Sequence, residues 1–164
     1  MDLGFQKEGF RIVFANDIEP AVKETYQYNL KHKIEIQDIR TFEKTKVPEA
    51  EVVIAGIPCQ PFSRLSLRLG ISDKRGLLAV FAMEYIVAKK PRCTLMENVK
   101  AFATQFSELF MWIILTLQAN GYKVTWQIMY TDQHGVPQSR PRTYLLATWL
   151  LLTLFIPLLV HFST

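Results

Sequence analysis

Cys59 is the residue of this chain best suited to covalent chemistry. It lies between two prolines in the run GIPCQPFS, residues 56–63, directly after an apolar segment. A thiol attacks as its thiolate, and open backbone amides at the end of a strand can favour that anion. The prolines restrict the loop and would present the sulfur rigidly. A lone cysteine is more often an inert core residue, and Cys93, which has no polar neighbours, is interpreted in that way.

Two further groups could act on a nitrogen-containing ring. Glu97 follows an apolar run, where a buried carboxyl needs a partner such as an amino group beside a ring nitrogen. Arg140 and Arg142 alternate in the run QSRPR, so in an extended segment both point to the same side and can hold a carbonyl or a phosphate. Taken singly, Glu97 would be a surface acid and the arginines an exposed basic loop.

The elements that must position these residues alternate between strand-length apolar runs and segments of helical period. This pattern predicts an α/β fold with a sheet covered by helices. A helix is expected over residues 21–30, after Pro20, and another over 77–88; a third is capped by Thr104 and ends before Gly121. The expected strands are residues 11–15, 34–36, 51–55, 93–96, 123–130 and 143–148.

Four side chains follow the expected strands directly: Asp17, Asp38, Cys59 and Glu97. In sheets of this kind the ligand binds beyond the carboxyl ends of the strands. We therefore expect the four side chains to converge on one site.

Composition narrows the class of protein. The 164 residues, 49% hydrophobic and 21% charged, fit one globular domain, and the net charge of +4 permits a polyanionic partner without demanding one. Two cysteines without a CxxC pair argue against a disulfide framework or a metal site and indicate a reduced, cytoplasmic setting. The N-terminus has no secretory pattern.

The C-terminal residues are strongly apolar, with no Asp, Glu, Lys or Arg over residues 143–162. About 20 such residues could span a bilayer. Residues 144–148, however, have the pattern of a last strand, and Pro157 interrupts the remainder. We expect a domain over residues 1–148 and an apolar tail over 149–164 that is not a membrane anchor.

In combination, PCQPFS, DKRG at 73–76, ENV at 97–99 and QSRPR resemble the motifs of the cytosine-5 DNA methyltransferases, over about residues 3–148. The resemblance implies a doubly wound, Rossmann-like fold dependent on S-adenosylmethionine, with DNA carrying a flipped cytosine as substrate. It implies that Cys59 attacks carbon-6 and that Glu97 holds the exocyclic amino group and ring nitrogen. Arg142, with Arg140 beside it, would hold the base carbonyl and orient the Cys59 loop.

The runs ANDIEP and QDI are similar to the two acidic cofactor motifs of that family. By this resemblance Asp17 binds the ribose hydroxyls and Asp38 receives the adenine amino group. Ile18 and Ile39 pack on the adenine, and Pro58 and Leu78 line the remaining wall.

The chain departs from the family at both ends. The Phe-x-Gly-x-Gly turn and its strand are not found, and residues 149–164 match neither the target-recognition domain nor the closing helix. We therefore expect an incomplete sheet without its first strand and little or no methylation by the isolated chain. The DNA target and the oligomeric state are not indicated.

Other functions remain open. A non-catalytic remnant could bind DNA or a protein partner, and a few relatives act on transfer RNA. A cysteine hydrolase is least favoured, since His134 is the only plausible base. A eukaryotic source would make the setting nuclear.

Overall fold

The computed structural model describes residues 1–43, 47–57 and 76–149, and the side chains of the third stretch from residue 78. The chain forms two compact units, Met1–Ala50 and Glu51–Thr164. Residues 149–164 lie outside the description except for Trp149, so the predicted boundary between domain and tail stays a prediction.

The first unit joins two helices to a short pair of parallel strands. Asn16 and Asp17 of β1 pair with Glu35 and Ile36 of β2, respectively. Gln6 Nε2 of α1 donates to the Leu30 carbonyl at the end of α2, at 2.9 Å. The elements are α1 (Asp2–Lys7), β1 (Asn16–Asp17), α2 (Val22–Leu30), β2 (Glu35–Ile36) and a 3-10 turn (Ile39–Thr41).

The strand expected over residues 11–15 is wrong. Side-chain exposure does alternate there, but within residues 11–17 only Asn16 and Asp17 have a ladder partner. A single bond, from Glu35 N to the Ala15 carbonyl at 2.9 Å, extends the pairing backward. An alternating apolar pattern reports which side chains are shielded, whereas a strand also needs a neighbouring backbone to bond.

The second unit is a four-stranded sheet in the order β3-β4-β6-β5. β3 runs parallel to β4, and β6 is antiparallel to both β4 and β5. The elements are β3 (Val52–Gly56), α3 (Gly76–Lys89), β4 (Cys93–Val99), α4 (Lys100–Thr104), α5 (Ser107–Ala119), β5 (Tyr122–Tyr130) and β6 (Pro141–Trp149).

One face of this sheet carries the core. Because successive side chains of a strand alternate, Met96 and Asn98 share one face of β4 while Glu97 points to the other. Met96 packs with the helices and with the facing residues of β6. The buried helical residues of this core are Ala79, Met83, Ile86, Phe102, Phe110, Ile113, Ile114 and Leu117.

The predicted start of the third helix, with Thr104 as its cap, is also wrong. Thr104 is the last residue of α4, where its hydroxyl donates to the Lys100 carbonyl at 3.3 Å, and α5 begins separately at Ser107. A threonine whose hydroxyl bonds back to its own helix is not available to cap the next one. The predicted end before Gly121 is confirmed, since α5 stops at Ala119 and Gly121 has φ 88°.

Among the described residues, no helix is both long enough and apolar enough to cross a bilayer.

Candidate active site

Glu97 and Arg142 form an ion pair on the face of the sheet opposite the core. Tyr144 pairs directly with Glu97, and Arg142 pairs with Val99, so Arg142 is the diagonal neighbour of Glu97. Arg142 Nε donates to Glu97 Oε1 at 2.8 Å, and the two side chains are 17% and 26% exposed. Arg142 Nη1 also donates to the Pro141 carbonyl at 2.9 Å, which fixes the guanidinium.

A cavity of about 200 Å³ opens beside this pair. Arg140 reaches the same cavity, so the structure brings together Glu97 and both arginines of QSRPR. The Arg140 backbone is held by its N–H, which donates to Thr131 Oγ1 at 3.0 Å. The cavity is lined by Gly56, Ile57, Glu97, Asn98, Val99, Arg140 and Arg142.

The nucleophile expected from the sequence, Cys59, lies outside the described residues together with Pro58. The last described residue before them is Ile57, which lines the cavity. Burial raises the pKa of the Cys93 thiol to about 11. A thiol with that pKa is protonated at neutral pH, which fits the interpretation of Cys93 as a packing residue.

Two residues next to Glu97 were not predicted from the sequence. Tyr144 shares the face of Glu97, and burial, followed by the charge of Glu97, raises the pKa of its phenol. The alternation of β6 could have placed Tyr144 beside Arg142. Asn98 belongs to the ENV run, yet only Glu97 was assigned a role; a polar residue at the end of an apolar strand was the available signal.

The expected cofactor residues of the first unit gather at one end of the β1–β2 pair. Asp17 Oδ1 accepts from the Glu19 N–H at 2.9 Å, and Gln37 N donates to the Asp17 carbonyl at 3.0 Å. Asp38 follows Gln37 and accepts from the Arg40 N–H at 3.0 Å, and Ile39 begins the 3-10 turn.

Ile18 and Asp38 bear on whether these residues fit S-adenosylmethionine. Ile18 is 63% exposed, which leaves an apolar surface beside Asp17 for a flat ring. The Asp38 carboxylate is already occupied, because Arg40 Nε donates to both of its oxygens at 2.9 and 3.0 Å. These hydrogen bonds, followed by the one from the Arg40 N–H, lower the pKa of Asp38 to about 2. An adenine amino group would share the carboxylate with Arg40.

Leu78 lies in the first turn of α3, in the second unit. The convergence expected for Asp17, Asp38, Cys59 and Glu97 therefore stays a prediction, since these residues belong to two units or fall outside the description. In the described ranges, no group of three or more His, Cys, Asp or Glu side chains could hold a metal ion.

Known proteins resemble this chain in sequence. It is 38% identical over 149 residues to the type II methyltransferase M.Bsp6I of Bacillus sp. (strain RFL6), an alignment covering 88% of this chain and 47% of that protein. It is 33% identical over 148 residues to M.NlaIV of Neisseria lactamica, covering 85% and 35% respectively. The chain thus spans half or less of the length of these relatives.

Solved structures share the fold. The Dnmt2 methyltransferase of S. pombe matches with a TM-score of 0.73 and 27% identity, over 90% of this chain and 46% of that one. A putative DNA modification methyltransferase encoded within a prophage of E. coli gives a TM-score of 0.74 at 19% identity, over 90% and 42%. The α/β architecture is therefore the Rossmann-like fold of S-adenosylmethionine-dependent methyltransferases.

The family model described as C-5 cytosine-specific DNA methylase matches residues 1–150. This match covers most of the 164 residues, including the ion-paired Glu97 and Arg142. The chain belongs to the C-5 cytosine-specific DNA methylase family.

Proposed function

We propose that this chain transfers a methyl group to carbon-5 of cytosine in DNA through a covalent adduct of Cys59. The observation that supports this most directly is the Glu97–Arg142 pair beside a cavity whose wall includes Ile57. Ile57, at the end of β3, precedes Cys59 by two residues, Glu97 lies in β4 and Arg142 in β6, and these three strands are neighbours in the sheet. The cytosine must leave the helix, because its ring carbons cannot be reached within the base stack.

The proposed reaction begins with the Cys59 thiolate. Its sulfur bonds to carbon-6, and the electron pair of the carbon-5–carbon-6 double bond shifts toward the ring nitrogen. Glu97 holds that nitrogen and the exocyclic amino group and stabilises the charge that develops. Carbon-5, now nucleophilic, would take the methyl group as the methyl–sulfonium bond of S-adenosylmethionine breaks and the donor leaves as a neutral thioether. Loss of the carbon-5 proton to solvent then restores the double bond and expels Cys59 as its thiolate.

Arg142 and Arg140 would act on the base carbonyl. A guanidinium presents several N–H donors in one plane, and the contacts of Arg142 with Glu97 and Pro141 hold that plane in place. Donors fixed before the reaction need no reorganisation when charge develops. The orientation of the Cys59 loop is the second role proposed for these arginines.

Bound S-adenosylmethionine supplies the electrophilic methyl group. We propose that Asp17 accepts hydrogen bonds from its ribose hydroxyls and that Ile18 and Ile39 cover its adenine. The Asp38 carboxylate would accept hydrogen bonds from both Arg40 and the adenine amino group. Pro58 and Leu78 are proposed to line the remaining wall. The exposure of Ile18 and the proximity of Asp17 to the turn after β2 support this assignment.

We propose that the 164 residues, tested alone, transfer methyl groups only slowly. We expect the chain to act where cysteines stay reduced, in the cytoplasm or, in a eukaryote, the nucleus.

The proposal is tested by incubating the full chain with tritiated S-adenosylmethionine and mixed-sequence DNA. We expect slow label transfer to carbon-5 of cytosine that is lost in Cys59→Ser. DNA containing 5-fluorocytosine should trap the adduct, because carbon-5 then carries no proton to lose. Label transfer that persists in Cys59→Ser would contradict the covalent mechanism.

Calorimetric titration with S-adenosylmethionine separates the proposal from a non-catalytic binding protein. Micromolar binding that weakens in Asp17→Asn supports the enzyme. No binding by the wild-type chain, combined with DNA binding, would favour the non-catalytic protein. A parallel reaction with transfer RNA tests the other substrate, and preferential labelling of that RNA would contradict DNA as substrate.

A further inference from the structure

Asn98 is a buried polar residue whose side chain is fully used. It is 6% exposed, and it lies on the core face of β4, opposite to the face that carries Glu97. Its Nδ2 donates to the Ile57 carbonyl at 3.0 Å, and its Oδ1 accepts from the Val99 N–H at 2.8 Å. Both side-chain polar atoms are therefore engaged with backbone.

A buried asparagine in a strand lowers the stability of the fold unless its side-chain hydrogen bonds offset the loss of hydration. Asparagine is disfavoured in strands, and a buried amide must replace the hydrogen bonds it made with water. Its neighbours on this face, Met96 and Thr143, are also buried. A leucine in its place could not hold the carbonyl of a residue 41 positions earlier in the chain.

That carbonyl belongs to the residue at which the chain leaves β3. Gly56 is the last residue of β3 and pairs with Glu97, while the Ile57 side chain packs against the core. Asn98 adds a third attachment, on the Ile57 backbone. Pro58, with its fixed φ, and then Cys59 follow in sequence.

We propose that Asn98 is a positioning residue that fixes the start of the Cys59 segment relative to Glu97. The proposal rests on the proposed function, since it assigns to Cys59 and Glu97 their parts in the same reaction. Asn98 follows Glu97 directly, so their side chains lie on opposite faces of β4. Glu97 is presented on one face, and Asn98 holds the Ile57 backbone, two residues before Cys59, from the other.

The first unit contains a comparable pattern of hydrogen bonds. Asn16 Nδ2 donates to the Gln37 carbonyl at 2.7 Å and to the Glu35 carbonyl at 3.0 Å. Asn16 is the first residue of β1. Gln37 follows β2, the parallel neighbour of β1, and directly precedes Asp38. In both units an asparagine amide thus holds the carbonyl from which a candidate functional segment begins.

The test compares Asn98→Asp with Asn120→Asp in the full chain. Asn98→Asp keeps an acceptor for the Val99 N–H but loses the donor to Ile57. Asn120 is the matched control, since its Nδ2 also donates to a backbone carbonyl, that of Thr116 at 2.8 Å, away from the site. Asn98→Leu, neutral and of similar size, replaces Asn98→Asp if that variant does not fold.

The measurements are hydrogen exchange and methyl-transfer kinetics. With one hydrogen bond lost, we expect about fivefold faster amide exchange in a peptide spanning residues 53–62 in Asn98→Asp, and no change there in Asn120→Asp. We expect kcat to fall about tenfold, as for a lost positioning contact, with KM for S-adenosylmethionine unchanged. Lowering the pH should protonate the introduced carboxyl, restore a donor and reduce the exchange difference.

Three results would overturn the inference: unchanged exchange at residues 53–62, exchange that accelerates equally in α5, or local acceleration with kcat unchanged. The second would show that Asn98 serves the general stability of the unit. A wild-type chain that neither binds S-adenosylmethionine nor transfers a methyl group would refute the proposed function instead, and the exchange comparison alone would then decide whether Asn98 holds Ile57.

Discussion

The Glu97 carboxylate meets Arg142 at a site that is only partly open to water. Charge–charge contacts weaken with solvent exposure, and pairs of fully exposed side chains contribute little to stability. At 17% and 26% exposure this pair lies between a surface pair and a buried one. It should therefore couple measurably in folding as well as serve the reaction.

A double-mutant cycle with Glu97→Gln and Arg142→Gln should give a coupling of about 1 kcal/mol in the free energy of unfolding, measured with urea. The control cycle uses Lys33 and Glu35, whose charged atoms are 2.7 Å apart but whose side chains are 74% and 42% exposed. We expect no measurable coupling there. Equal coupling in both cycles would show that partial burial adds nothing to the Glu97–Arg142 pair.

Activity should respond more strongly than stability to Glu97. Glu97→Gln keeps the shape but cannot supply a carboxylate to the amino group and ring nitrogen, so we expect methyl transfer to fall by about 100-fold or more. Glu51→Gln is a suitable control, because Glu51 forms an exposed ion pair with Arg92 and lies outside the cavity. Comparable losses in the two variants would argue against the role assigned to Glu97.

At the scale of elements, the 3-10 turn after β2 sets the ionisation of Asp38. Asp38 caps this turn and Arg40 supplies the guanidinium, so the folded pKa of about 2 lies below the ordinary value of 3.8. A depressed folded pKa contributes stability above the ordinary value, and that contribution is lost as pH falls from about 4 to 2.

Replacement Arg40→Ala should raise the pKa of Asp38 toward 3.8, because the side-chain hydrogen bonds from the guanidinium are the largest cause of its depression. Carboxyl carbon NMR of the wild-type and variant chains measures the shift. Lys33→Ala, which removes a cation from the Glu35 pair, should leave Asp38 unchanged. An Asp38 pKa that stays near 2 in Arg40→Ala would show that the Arg40 N–H alone holds it there.

The turn between α5 and β5 depends on Gly121. Its φ of 88° is strained for a residue with a Cβ, while the space is adequate, since the nearest atom to an added Cβ is a Trp149 ring carbon at 3.9 Å. Gly121→Ala should therefore destabilise the chain by about 1 kcal/mol through backbone strain. Gly121→Asn should cost less, because asparagine tolerates this region better. Urea unfolding of the two variants provides the comparison; an equal cost would assign the effect to volume.

At the scale of the whole molecule, the two units differ in the core they can form. Among the described residues, the buried apolar side chains of the first unit are Ala15, Leu30, Ile34 and Val47, and its strands are two residues long. The second unit buries a continuous core between its sheet and α3, α4 and α5. Hydrogen exchange should therefore be faster in β1 and β2 than in β4 and β6.

Binding of S-adenosylmethionine should slow exchange in the first unit if Asp17 and Ile18 contact it, since a ligand stabilises the state to which it binds. Exchange in β5, which lies outside the assigned cofactor residues, provides the internal reference. Protection confined to β5 would contradict the assignment of the cofactor to the first unit.

The family and most of the elements can be predicted from the amino-acid sequence alone. PCQPFS, ENV and QSRPR identify the family because they combine rare residue types in a fixed order, and strands such as 93–96 and 123–130 follow from local apolar patterns that need no distant partner to be recognised. Where an element depends on a partner, the sequence was insufficient: residues 11–15 carry a strand pattern without a ladder, and the Thr104 hydroxyl bonds within its own helix.

Which functional groups come into contact depends on the tertiary structure. Antiparallel register places Arg142 diagonal to Glu97, and the choice of face directs the Glu97 side chain to Arg142 and the Asn98 side chain to the Ile57 carbonyl. These contacts join residues more than 40 positions apart, and a shift of one residue in register would exchange the two faces. The types of the functional residues can be identified from the sequence. Which of them contact one another depends on strand order and register, which no local sequence pattern encodes.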